Sequence, residues 1–74
     1  MSKKLNIIVE RDNDGYFAYC PELEGCHTQG DSLDEVLENI KEAIELYLET
    51  ISEEEKKQIQ TKEIISTSYE VPLA

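Results

Sequence analysis

The sequence predicts an α+β fold of order β-β-β-α-β, an antiparallel three-stranded meander with one long helix across one face and a fourth strand parallel to the first. Three observations predict it. Leu5, Ile7 and Val9 alternate with Asn6, Ile8 and Glu10, the period of two expected of a strand, and Tyr16–Cys20 reads as its hairpin partner. Ser32 and Glu35 form an S-x-x-E helix-start signal ahead of a long apolar stripe. Ile64 to Val71 then reads as a last strand, ended by Pro72. A right-handed crossover would set that strand beside the first, giving the spatial order 3-2-1-4.

Each element has a local cause. Asp12-Asn13-Asp14-Gly15 supplies turn residues, and the expected hairpin over residues 5–20 has a loop of four or five residues. Pro21 cannot donate to a ladder and Gly25 frees the backbone, so Pro21–Gly25 is a second turn. Cys26 to Gln29 makes a short third strand that Gly30 closes. From Leu33 the apolar residues Val36, Leu37, Ile40, Ala43, Ile44, Tyr47, Leu48 and Ile51 recur at helical spacing, one stripe along about five turns. Ser52 and Glu55 repeat the capping pattern and predict a short helical turn over Glu53–Ile59.

Size and charge narrow the function. Seventy-four residues make one small domain. Chains of this size bury only about 60% of their unfolded surface, so self-association as a dimer or tetramer is the expected extra source of stability. The formal net charge is −10, from 17 acidic and 7 basic residues. Such a chain repels nucleic-acid phosphates and anionic membrane surfaces, and it attracts basic partners. No apolar run approaches the roughly 18–20 residues of a membrane span, and the start Met1-Ser2-Lys3-Lys4 lacks the apolar centre of a signal peptide. The cytoplasm is the expected compartment.

Catalytic and metal chemistry find little support. Cys20, Cys26 and His27 give C-x5-C-H, but zinc needs a fourth ligand and usually closer cysteines. The two thiols are expected to be small buried hydrophobes. Adjacent strand residues point to opposite faces, so His27 is badly placed to activate Cys26. Asp12-Asn13-Asp14-Gly15 falls short of a twelve-residue calcium loop. Phosphate-binding glycine loops and Ser-His-Asp sets are absent, and His27 is the only histidine. The expected protein is no enzyme, with no catalytic residue, cofactor or metal.

Binding surfaces are better marked. If Leu5, Ile7 and Val9 face the helix, Ile8 points the other way. Tyr16, Ala18 and Cys20 share one face of the second strand, and Phe17 and Tyr19 share the other. Either choice leaves a large aromatic on the face away from the helix, where an exposed apolar cluster marks an association surface. The outer helix carries Asp34, Glu38, Glu42, Glu45 and Glu49 with Lys41 as the main local counter-charge. Like charges four apart each cost a few tenths of a kcal/mol, roughly. The expected partner-binding residues are Ile8, Phe17, Tyr19, Glu22, Glu24, Glu38, Glu42 and Glu45.

Tyr16, Pro21, Gly25, Gly30, Asp31, Ser32 and Glu35 together resemble the core signature of HicB-like antitoxins: an aromatic strand, Pro, a short turn, Gly, then Gly-Asp-Ser and a helix opening with an acid. The resemblance spans nearly the whole chain. It implies a degenerate ribonuclease H-like module without chemistry, and a partner in the form of a small basic HicA-like ribonuclease toxin whose active site the antitoxin covers. Many members of that family add a C-terminal DNA-binding segment, which these 74 residues do not include. Direct nucleic-acid binding is therefore not expected. A stand-alone oligomeric binding or regulatory protein is the alternative.

Overall fold

In the computed structural model, which describes residues 2–74, hydrophobic alternation and turn chemistry build one antiparallel sheet. Its strands are β1 (Ile8–Asp12), β2 (Gly15–Tyr19) and β3 (His27–Gly30), in the order β1-β2-β3. Helices α1 (Leu33–Glu49) and α2 (Glu53–Gln58) follow. The β1–β2 turn is tighter than the sequence suggests, because Asp12 pairs directly with Gly15. The Asp12 carboxylate accepts the Asp14 N–H at 2.8 Å, and Gly15 takes a φ of +132° that only glycine adopts without strain. Pairing thus continues to the tip of the hairpin, and β1 lies three residues later than the alternation implies.

Register decides which side chains face inward. Val9 pairs with Ala18, and Ala18 with Thr28, so these positions turn toward α1, with Tyr16 and Cys20 beside them. The fully buried set among the described residues is Ala18, Cys20, Leu23, Cys26, Val36 and Ile40. Leu5, Ile7, Val9, Tyr16, Ala43, Ile44, Tyr47, Leu48 and Ile59 pack around it half-buried. Leu33, expected in the stripe, is 47% exposed at the first helical position.

Helix α1 starts where the capping signal places it. The Ser32 hydroxyl accepts the Glu35 N–H at 3.1 Å, while the Glu35 carboxylate accepts from Asp31 N–H rather than from Ser32. Gly30 lets the helix approach β3 closely, since a Cβ there would lie 2.9 Å from the Val36 nitrogen. Asn39 Nδ2 donates to the Gln29 carbonyl at 3.0 Å and fixes α1 over β3. The second helix forms with a full Ser52–Glu55 capping box.

The expected fourth strand is not there. Residues 59–74 carry no strand, so the parallel addition, the 3-2-1-4 order and the degenerate ribonuclease H-like description are corrected to three strands and two helices. The physical reason lies at residues 59–62, where the chain passes residues 3–6. Side chains satisfy the backbone at that crossing. Glu22 accepts the N–H groups of Asn6 and Lys62, both at 2.9 Å, and Thr61 Oγ1 donates to the Lys4 carbonyl at 2.7 Å. Lys3 Nζ donates to the carbonyls of Lys56, Lys57 and Ile59, closing the end of α2. Beyond this crossing all residues are exposed. The radius of gyration is 14.8 Å, where a compact chain of this length would take about 11 Å.

Candidate protein-binding surface

Because α1 covers one face of the sheet, the side chains of opposite parity stand on an open face. Ile8 pairs with Tyr19 and Glu10 with Phe17; Tyr19 pairs in turn with His27 and Phe17 with Gln29. These six residues form one surface. The Phe17 ring lies 5.9 Å from Tyr19 and 5.6 Å from His27, centroid to centroid, with tilted planes. Phe17 is 39% exposed, and Ile8 and Tyr19 are half-buried. A shallow groove runs from Glu10, Phe17 and Tyr19 past Pro21 to Glu24 and His27. An aromatic centre with a carboxylate on either side is the layout of a protein-binding patch.

The expected partner-binding residues separate into three groups. Ile8, Phe17, Tyr19 and Glu24 come together on and beside the open face. Glu38, Glu42 and Glu45 lie exposed on the outer side of α1, in the other layer of the molecule. Lys56 with Glu53, at 3.1 Å, is the one ion pair among the described residues, so none of these three helix carboxylates is neutralised by a salt bridge. Glu22 belongs to neither surface. Both of its oxygens are engaged inside the chain, by Asn6 and by Lys62.

That engagement sets the Glu22 charge. Partial burial acts to raise its pKa, but the N–H groups of Lys62 and Asn6 and the Asn6 amide favour the anion more strongly. The value falls from 4.5 to about 2. Three members of the open face were not among the expected binding residues: Glu10, His27 and Gln29. Strand parity relative to Phe17 could have found all three once the register was known.

The cysteines are structural. Cys20 and Cys26 are buried and unbridged, and burial pushes both thiols up from their ordinary pKa. Backbone bonds close the turn between them, Cys20 N–H to the Cys26 carbonyl at 3.0 Å and Cys26 N–H to that of Leu23 at 3.0 Å. The turn thereby drives Leu23 into the core. Among the described residues no group of three or more His, Cys, Asp or Glu side chains is placed to hold a metal ion. No helix there is long and apolar enough to cross a membrane.

The described residues form a small two-layer α+β module with an open aromatic sheet face and, on the opposite layer, helix carboxylates outside any ion pair. The family follows from comparison with known proteins. Residues 5–72 match the model for the HicB-like antitoxin of bacterial toxin–antitoxin systems, and the chain belongs to that family. A UPF0150 protein of Helicobacter pylori strain J99 is 43% identical over 70 residues, covering 95% of this chain and 97% of the relative. A UPF0150 protein of Archaeoglobus fulgidus is 51% identical over 63 residues, 84% of each chain. A third, from Thermotoga maritima, is 41% identical over 54 residues, 70% of this chain and 72% of the relative.

Proposed function

We propose that this chain is a non-catalytic antitoxin module that neutralises a small basic HicA-like ribonuclease by covering its active site. The observation that carries this reading is the open sheet face, where Phe17, Tyr19 and His27 cluster between Glu10 and Glu24. Such a patch offers a desolvated aromatic anchor with carboxylates at its edge for lysine and arginine of a basic partner. Family membership supports a toxin as that partner.

The acidic outer face of α1 has a different role in this account. It points away from the open face, so Glu38, Glu42 and Glu45 act through the long-range field rather than by contact. Such a field raises encounter rates with a basic protein and is screened by salt. Association with the toxin therefore slows by about tenfold or more between low and high ionic strength, whereas dissociation changes little. Stopped-flow measurement at several salt concentrations checks this, and a salt-independent association rate would refute the electrostatic part.

Co-purification from native lysate followed by mass spectrometry tests the assignment. The expected result is a small basic protein whose ribonuclease activity appears once this chain is removed. Recovery of nothing but copies of the chain itself would favour the second reading, a stand-alone oligomeric protein. The specific observation in favour of that reading is the unpartnered apolar segment after Lys62.

A further inference from the structure

The segment after Lys62 has the pattern of a strand and no partner in its own chain. Ile65, Thr67, Tyr69, Val71 and Leu73 recur at every second position, with Ser66, Ser68 and Glu70 between them. Ile65 is 81% exposed, Tyr69 88% and Leu73 89%. Among the described residues, none from 63 to 74 makes a hydrogen bond to the rest of the chain. Sequence pattern and surroundings disagree here, and an exposed apolar strand is the usual sign of a missing neighbour.

The same chain carries a matching vacancy. β1 is a sheet edge, paired with β2 on one side only. Helix α1 packs chiefly over β3 and β2, which leaves Ile7 and Val9 half-buried on the helix side of β1. The clamp of Glu22 on Asn6 and Lys62 releases the free segment two residues from the start of β1. Twelve extended residues reach about 40 Å, well beyond the 26 and 18 Å shorter dimensions of the molecule.

We propose that residues 63–74 of one chain add as a strand to the free edge of β1 in a second copy, reciprocally, with Ile65, Tyr69 and Val71 completing the cover of Ile7 and Val9. This deepens the self-association considered above and does not depend on a toxin. The second copy is the occupant because donor and acceptor reside in one sequence. A twofold pair satisfies both strands and both edges at once, leaving no open ladder. The segment is also lightly charged for so acidic a chain, with Glu63 and Glu70 its only ionisable side chains besides Tyr69. It therefore brings little repulsion to a meeting of two polyanions.

The test is made on the full chain without any toxin. Sedimentation of the parent gives a dimer, and the double variant Ile65→Asp/Tyr69→Asp a monomer, a loss of affinity on the order of a hundredfold or more. Its far-ultraviolet circular dichroism keeps the helix signal of α1, since both side chains are largely exposed. To locate the contact, Thr67→Cys carrying a nitroxide is mixed with isotope-labelled parent chains. Broadening of the amides of Ile8–Asp12 is expected. A parent that stays monomeric, a variant that stays dimeric, or broadening confined to residues 63–74 or to Phe17 and Tyr19 would overturn the proposal. Failure here leaves the toxin assignment intact, because inhibition of a ribonuclease is read separately.

Discussion

Residues 59–62 and 63–74 are neighbours in sequence and opposites in structure. In the first stretch the backbone is held by side chains from far away: Lys3 on the Ile59 carbonyl, Thr61 on Lys4, and Glu22 on the Lys62 N–H. In the second, Ile65, Tyr69 and Leu73 stand in solvent. Composition alone would rank them the other way, since the apolar stretch is the exposed one. A polar residue is retained in the body when its hydrogen-bond partner is prepared, and an apolar one is left out when no surface of its own chain remains to receive it.

Substitutions can break this contrast, and the largest effect belongs to the body. Ile40 is fully buried between α1 and the sheet, so Ile40→Ala is expected to cost about 2–5 kcal/mol of unfolding free energy, measured by urea titration. For a chain this small that removes much of the margin. A cost below about 1 kcal/mol would mean that the core closes over the gap or is not packed as described.

Next is the Glu22 clamp. Replacing the charged acceptor by Glu22→Gln should cost about 1–2 kcal/mol after allowance for partial solvent screening. It should also speed amide exchange at Asn6 and Lys62 while leaving the exchange of α1 unchanged. The pH dependence has a definite sign. The folded pKa is lowered, to about 2 from 4.5, so the contribution is fully present above the unfolded value. It is lost as pH falls from 4.5 toward about 2. In Glu22→Gln the acid-induced loss of stability over that window should be smaller than in the parent; an identical acid profile would show that another group carries it.

The smallest effect on the fold is expected in the free segment. In dilute solution, where the chain is monomeric, Tyr69→Ala should change unfolding free energy by less than about 0.5 kcal/mol. A loss comparable to that of Ile40→Ala would mean that the segment packs on its own body, and the contrast would collapse.

The legible and illegible parts of the fold divide along similar lines. The meander, the apolar stripe of α1 and the Ser32 and Ser52 caps are local patterns, and the structure has them nearly where the residues place them. The alternation in Ile64–Val71 is just as local, but strand pairing is a property of two segments and only one of them is marked. Periodicity shows that a strand is wanted without showing whose edge it joins. Leu23 was missed because a turn of Pro, Glu and Gly reads as surface, and only the backbone bonds between Cys20, Leu23 and Cys26 turn it inward. Glu22 looked like one more surface acid for the same reason; its hydrogen-bond partners lie 16 and 40 residues away. On the open face, Phe17 and Tyr19 were legible as a pair by parity, whereas Glu10, His27 and Gln29 required the register.

The central functional claim, that the open sheet face covers a toxin, is tested most directly by titrating the co-purified basic ribonuclease with the parent chain and with Phe17→Asp/Tyr19→Asp. The parent should abolish activity at stoichiometric ratio, and the variant, folded by circular dichroism, should need at least about a hundredfold more protein. Equal inhibition by the two chains would contradict the claim and move the toxin contact off this face.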